Sequence, residues 1–157
     1  MEWVNCGTEV IVTKHTRNVY TSNKKSDNVA DPAGDQTLVG LVFQGDSHQR
    51  LRGFPRGVKR DLGYALHRLQ LGQIPPDRKA VREVGAGAYE LREQDAKTWY
   101  RVLYVRRGNT IQVLHCFEKR SNSIEQKDIE TAKTRLKRVL EAEREEKRNA
   151  KKAVRRR

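Results

Sequence analysis

Three stretches between residues 88 and 120 alternate apolar and polar side chains, and this alternation constrains the fold more than any other feature of the chain. The stretches are residues 88–93, 98–106 and 110–120. Period-two alternation is typical of half-buried β-strands. Gly108-Asn109 lies between the last two stretches and is a two-residue turn sequence that predicts a β-hairpin. With a four-residue loop at 94–97, the segment predicts three consecutive antiparallel strands.

Two helices are predicted before these strands. The longer helix begins at Pro55 and ends before Gly72, because proline suits the first helical position and glycine suits the position after the last. Its apolar stripe consists of Val58, Leu62, Leu66 and Leu69. The shorter helix spans 48–52, with Asp46 or Ser47 as its N-cap.

An apolar run at 38–43 predicts one strand ahead of the helices, and a last helix begins near Ser123. The stripe of that last helix consists of Ile129, Ala132, Leu136, Val139 and Leu140. The predicted order is therefore β-α-α-β-β-β-α. Such an order indicates an α+β domain, in which a small antiparallel sheet packs against an N-terminal helical pair and a C-terminal helix follows.

The first 37 residues lack the apolar patterns of the rest of the chain. They hold one β-like run, at 9–13, followed by polar and turn-forming sequence. We predict that residues 1–37 are a poorly ordered extension. The folded domain then covers 38–142, and residues 143–157 form a basic tail.

The chain carries 33 Lys+Arg against 20 Asp+Glu, a formal net charge of +13. Residues 144–157 contribute +6 and residues 37–143 contribute +8, so the excess is not confined to the tail. This balance indicates a polyanion partner, such as nucleic acid, or an acidic protein; an ordinary charged surface is the alternative. We expect the tail to continue the last helix in solvent and to add electrostatic affinity without specificity.

The two cysteines, Cys6 and Cys116, are too few for a disulfide framework and fit a reducing compartment. No Cys/His cluster with metal-ligand spacing is present, and no run approaches the ~20 apolar residues of a membrane span. The sequence therefore predicts a cytoplasmic protein with no membrane span and no metal or other cofactor.

The hairpin turn predicts which residues share a face of the sheet. Counting back from it opposes Val102 to His115, and Arg101 to Cys116. One face is then aromatic, and we expect it to be the core, with His115 as a structural histidine. Its members are Tyr89, Leu91, Tyr100, Val102, Tyr104, Ile111, Val113, His115 and Phe117. The other face is expected to be open, and it collects Glu90, Arg92, Arg101, Glu118 and Arg120 beside an apolar floor of Leu103 and Leu114.

Arginines and carboxylates on one sheet face suit phosphate binding and acid–base chemistry, because the guanidinium group presents a planar fork of donors to phosphate oxygens. An ordinary solvated sheet face is the alternative. The basic outer side of the long helix adds Lys59 and Arg60 as candidate RNA-binding residues.

Four segments carry a family pattern: FPRGVKRDLGYALHRLQLG, VGAGAYELRE, WYRVLYVRRGNTIQVLHCFEKRS and KDIETAKTRLKRVL. Over 38–142 the chain resembles the phage-derived, HigB-like branch of the RelE/ParE toxin superfamily. The resemblance implies the toxin of a type II toxin–antitoxin system with the β-α-α-β-β-β-α fold. RelE-like members are ribosome-dependent mRNA endoribonucleases that need no metal. The implied partners are an antitoxin, expected to be a small helix-turn-helix protein, and the ribosome with its mRNA.

The resemblance also implies roles for individual residues. Arg101 in YRVLY matches the family's phosphate-binding arginine, and Arg92 in YELRE matches a basic residue on the preceding strand. Lys119-Arg120 match the basic pair at the end of the last strand, whereas Glu90 stands where well-studied members have a second lysine.

The implied reaction needs cations for the phosphate and groups that transfer protons. Arg101 and Arg120 are expected to stabilise the phosphate, and Lys119 or Glu118 to transfer protons. The expected RNA-binding residues are Arg92, Glu90, Lys59 and Arg60. Two alternatives stay open: a ParE-like toxin that inhibits DNA gyrase without cutting RNA, and a basic RNA-binding module without activity.

Overall fold

The computed structural model describes residues 8–11, 38–119 and 123–156. Within them the elements are β1 (Thr8–Ile11), β2 (Gly40–Gln44), α1 (Ser47–Gly53), α2 (Arg56–Gln70), β3 (Lys79–Ala80), β4 (Ala88–Gln94), β5 (Trp99–Arg107), β6 (Thr110–Lys119) and α3 (Gln126–Arg155). The α+β class is confirmed. Strand β1 overlaps the β-like run at 9–13, and the short β3 adds to the predicted elements. Residues 12–37, most of the predicted extension, lie outside the described residues. None of the described helices is long and apolar enough to cross a membrane.

The strands form one sheet in the order β1-β2-β6-β5-β4-β3. Strand β2 runs parallel to β6, with Leu41 opposite Ile111, and the other pairs are antiparallel. The prediction of a purely antiparallel sheet is therefore wrong. Two helices and three strands separate β2 from β6, so the chain has room to return in the same direction, which a short hairpin loop cannot do.

The hairpin at Gly108-Asn109 is confirmed, since Arg107 pairs with Thr110 and Gly108 has a φ of 56°. A β-bulge then interrupts the ladder. Tyr104 pairs with Val113 but Leu103 pairs with His115, which leaves Leu114 as the extra residue. One extra residue reverses the face of every residue beyond it on β6.

The predicted faces of the second half of β6 are consequently wrong. Val102 pairs with Cys116 and Arg101 pairs with Phe117. His115 and Phe117 therefore share the face of Arg101, and Cys116 and Glu118 share the aromatic face.

The loop between β4 and β5 covers 95–98 and places Arg92 opposite Arg101 instead of Trp99. Asp95 organises this loop, because its Oδ1 accepts the Thr98 N–H at 3.0 Å and its Oδ2 accepts the Tyr100 hydroxyl at 3.0 Å. The predicted pairing is thus displaced by two positions. A two-position displacement keeps each residue on its face.

Each face of the sheet has its own apolar core. Helices α1 and α2 cover the aromatic face, where the buried residues include Leu62, Leu66, Leu91, Val102, Tyr104, Ile111 and Cys116. Helix α3 covers the other face, where Ile129, Ala132 and Leu136 pack with Leu103, Val105, Leu114 and Phe117. The expectation of an open second face is therefore wrong over this part of the sheet.

A polar network fixes α3 against the sheet. The His115 ring lies between two α3 side chains: its Nδ1 is 3.3 Å from Arg135 Nη1, and its Nε2 is 3.0 Å from Asp128 Oδ1. A neutral ring with its proton on Nε2 satisfies both contacts. Burial, with a contribution from the Arg135 charge, lowers the pKa of His115, although Asp128 opposes the shift. His115 is thus structural, as predicted, but on the α3 side.

Arg135 also ties α3 to the start of α1. Its guanidinium donates to the Leu114 carbonyl at 2.9 Å and pairs with Asp46. Together with Arg50, Arg135 holds the pKa of Asp46 at about 2, against the effect of burial. Gly45 has a φ of 57°, and a Cβ there would lie 2.8 Å from the Arg135 guanidinium, so this junction requires glycine.

Candidate functional site

Within the part of the chain that the structure describes, one face of the sheet brings together four cations and one carboxylate near the start of β5. Strand pairing defines the group, because residues directly opposite each other point to the same side. Arg92 is opposite Arg101, Lys79 is opposite Glu90, and Lys119 is opposite Trp99. We call the charged residues of this face the basic cluster: Lys79, Glu90, Arg92, Arg101 and Lys119.

Arg101 is the centre of the basic cluster and is buried. Its side chain pairs with Glu90, with Nη1 3.4 Å from Oε1. Arg101 and Glu90 are only 7% and 4% exposed. The Arg101 guanidinium also lies 5.2 Å from the centre of the Trp99 ring, which is 40% exposed. Arg101 therefore provides a buried positive charge, and the exposed Trp99 ring beside it provides an aromatic surface.

Several polar atoms of the cluster have no hydrogen-bond partner among the described residues. They are Glu90 Oε2, Arg92 Nε and Arg101 Nε, and each atom is buried. A buried donor or acceptor without a partner costs about 1–3 kcal/mol. A ligand with both acceptors and a donor would satisfy all three atoms.

The cluster carries an excess of positive charge in a partly desolvated place. The pKa of Lys119 is lowered, first by burial and then by the charge of Arg101, while Glu90 opposes the shift. Lys79 and Arg92 lower it further. Burial likewise lowers the pKa of Arg101. Among the described residues this face holds four cations and one carboxylate, and an excess of positive charge of this kind favours the binding of an anion.

The structure does not bring all the predicted residues together. Glu118 pairs with Tyr100 on the aromatic face, so its predicted place beside the arginines is wrong. Lys59 and Arg60 lie on α2, which packs on the side of the sheet opposite Arg101. There Lys59 donates to the Arg52 carbonyl at 3.2 Å and Arg60 pairs with Asp61 at 2.8 Å. Arg120 lies outside the described residues.

The sequence prediction did not include two residues of this site, Lys79 and Trp99. Lys79 belongs to a two-residue strand, too short to show alternation. Trp99 lies on the arginine face in the predicted register as well, but it is not among the predicted site residues. Lys79 lies in a charged connector before the turn at 85–87. Nothing in that connector's sequence indicates pairing with β4.

Comparison with known families places the chain in the RelE-like toxin superfamily. Within that superfamily it belongs to the phage-derived Gp49-like protein family (DUF891), whose model matches residues 49–137. The matched segment runs from α1 into α3 and contains the whole basic cluster. The superfamily predicted from the sequence is thus confirmed, and the HigB-like branch stays a prediction. Comparison with curated proteins finds no significant match.

Proposed function

We propose that this protein is the toxin of a type II toxin–antitoxin system, of the HigB-like branch, and that it is a metal-independent endoribonuclease acting on mRNA at the ribosome. The observation that carries the proposal is the buried Arg101–Glu90 pair within the basic cluster, with unpartnered polar atoms on Arg101, Arg92 and Glu90. Family membership supports a toxin. The chemistry of the cluster supports cleavage of a phosphodiester.

Cleavage of RNA without a metal starts from the ribose 2′-oxygen. That oxygen attacks the adjacent phosphorus, the bond to the 5′-oxygen breaks, and the products carry a 2′,3′-cyclic phosphate and a 5′-hydroxyl group. A base takes the 2′-hydroxyl proton and an acid gives a proton to the leaving oxygen. Fixed cations stabilise the extra negative charge on the phosphorane.

The basic cluster offers a group for each of these tasks. Arg101 and Arg92 bind the phosphate oxygens, and the free Nε–H of Arg101 adds a donor toward them. Glu90 Oε2 accepts the 2′-hydroxyl proton, a role that replaces the lysine of better-studied members. Lys119, whose pKa is lowered by burial, gives a proton to the leaving 5′-oxygen more readily than an exposed lysine. Trp99 stacks on a base next to the cut.

Induced expression in bacteria tests this proposal. Wild-type protein is expected to arrest growth and to leave mRNA fragments with 5′-hydroxyl ends inside translated codons. Arg101→Lys keeps the charge but removes the planar fork, and it should reduce cleavage by about 100-fold. Arg106→Lys is the matched control, since Arg106 is exposed on the same strand, and it should cleave normally.

The same experiment separates the alternatives. Growth arrest with intact mRNA and inhibited gyrase supercoiling would contradict the endoribonuclease and favour a ParE-like toxin. RNA binding with neither arrest nor cleavage would favour a binding module without activity.

A further inference from the structure

The last part of α3 is a helical arm of exposed residues with no hydrogen bond or ion pair to another described element. The last buried residue of α3 is Val139, and the last tertiary bond is the pair between Arg107 and Glu143, with Nη2 2.8 Å from Oε2. From Arg144 to Arg156 every residue is exposed. We call residues 144–155 the arm. At ~1.5 Å per residue it extends about 18 Å beyond the domain.

The positive charges of the arm lie on one side of the helix. At ~100° per residue, six cations fall within an arc of about 140°, and we call them the basic arc: Arg144, Lys147, Arg148, Lys151, Lys152 and Arg155. The opposite side consists of Glu146, Asn149, Ala150 and Ala153. A tail that served only to raise net charge would not need this segregation.

Repulsion between the cations of the basic arc destabilises the helix in the free protein. Like charges four residues apart repel each other on a helix surface. The arc contains four such pairs: Arg144–Arg148, Lys147–Lys151, Arg148–Lys152 and Lys151–Arg155. The repulsion is relieved when anions lie along the arc, so a polyanion is expected to stabilise the arm.

We infer that the arm binds the phosphate backbone of RNA along its basic arc. The arc contains no aromatic or large apolar side chain to anchor a protein partner, and Val154 lies outside it. The opposite side is alanine and polar, so the helix has no apolar face to insert into a lipid surface. Backbone phosphates are the polyanion that such a purely cationic stripe fits.

The arm and the basic cluster contact different stretches of RNA. The arm leaves the domain beside Arg107, whereas Arg101 lies six residues away along β5, about 20 Å at ~3.3 Å per residue. Glu143 fixes the base of the arm, because its carboxylate accepts from both Nε and Nη2 of Arg107. Binding through the arm therefore adds affinity without choosing the bond cut at the cluster. The inference needs RNA as partner but not cleavage.

Two variants separate the arc from net charge. The arc variant, K147Q/R148Q/K151Q, removes three cations from the basic arc. The relocated variant adds N149K, A150K and A153K to it, which restores the wild-type charge on the opposite side. All six positions are exposed, so neither variant disturbs the core.

Binding to a short RNA duplex is measured between about 50 and 200 mM salt. The arc variant is expected to bind at least tenfold more weakly at the lower salt, with a salt slope smaller by about 2–3. The relocated variant should show the same losses, and duplex RNA should increase the helicity of wild-type protein alone. Full recovery in the relocated variant would overturn the inference in favour of net charge. An unchanged arc variant would show that the arm does not touch RNA.

Vesicles of phosphatidylcholine and phosphatidylserine provide the competing partner. Arc-dependent binding to vesicles, with RNA binding unaffected, would overturn the inference in favour of a membrane surface. Because these measurements do not require cleavage, a protein that binds through the arc and does not cut RNA would refute the proposed function alone.

Discussion

Arg101 and Glu90 form a buried ion pair across β4 and β5, with their nearest charged atoms 3.4 Å apart. The pair lies on the sheet face that α3 covers elsewhere through Leu103, Leu114 and Phe117. It therefore serves both the stability of the domain and the proposed chemistry. A variant of either residue must be assessed for folding before its activity is interpreted.

The first prediction concerns this dual role. Glu90→Gln and Arg101→Gln should each lower the free energy of unfolding by about 3 kcal/mol, because each leaves a buried charge without its partner. The double variant should cost clearly less than the sum of the two. Chemical denaturation measures all three. Arg60→Gln, which breaks an exposed pair with Asp61, is the control and should cost less than ~1 kcal/mol. Additive losses in the double variant would show that the pair does not stabilise the fold.

The second prediction concerns the dependence of folding stability on pH. Burial lowers the pKa of His115, so the folded state favours the neutral ring. The unfolded state then binds more protons below the ordinary histidine pKa of ~6.5, and stability should fall as pH decreases from 7 toward 5. His115→Gln should flatten this dependence in denaturation curves taken across the range. His67→Gln, at an exposed position on α2, is the control variant. If both variants flatten the pH dependence of stability equally, that dependence does not come from His115.

The third prediction concerns the junction between α1 and α3. Gly45→Ala should destabilise the domain by about 1–2 kcal/mol, because alanine disfavours the left-handed φ and its Cβ would meet the Arg135 guanidinium at 2.8 Å. Gly63→Ala is the matched opposite. Gly63 lies within α2 with nothing within 4 Å of the added Cβ, so alanine should stabilise by about 0.5–1 kcal/mol. Thermal unfolding of both variants gives the comparison, and a neutral Gly45→Ala would contradict both the backbone strain and the contact with Arg135.

Local signals predicted most of the elements. The Gly108-Asn109 hairpin, the ends of α2 and the apolar stripe of α3 depend on neighbouring residues, and the structure contains each of them. The faces of β4 and β5 were also correct, because the register there was displaced by two positions. This is why Glu90, Arg92 and Arg101 were grouped correctly.

The errors come from features that only tertiary packing decides. Leu114 is the extra residue of the bulge, and its carbonyl accepts a hydrogen bond from Arg135 of α3, a contact 21 residues away along the chain that strand periodicity cannot indicate. The bulge moved Glu118 away from the arginines and brought Lys119 to them. Strand alternation predicts Leu103 and Leu114 as the floor of an open face, whereas both are buried under α3.

Cleavage of mRNA on ribosomes programmed with a defined message tests the central claim most directly. Purified wild-type protein and folded Arg101→Lys are compared in single-turnover reactions, with the end groups of the fragments analysed. Fragments with 2′,3′-cyclic phosphate and 5′-hydroxyl ends from the wild type, formed about 100-fold more slowly by Arg101→Lys, are the predicted result. Equal cleavage rates for the two proteins, or no cleavage by the wild type, would contradict the assignment of the basic cluster as the site of RNA cleavage.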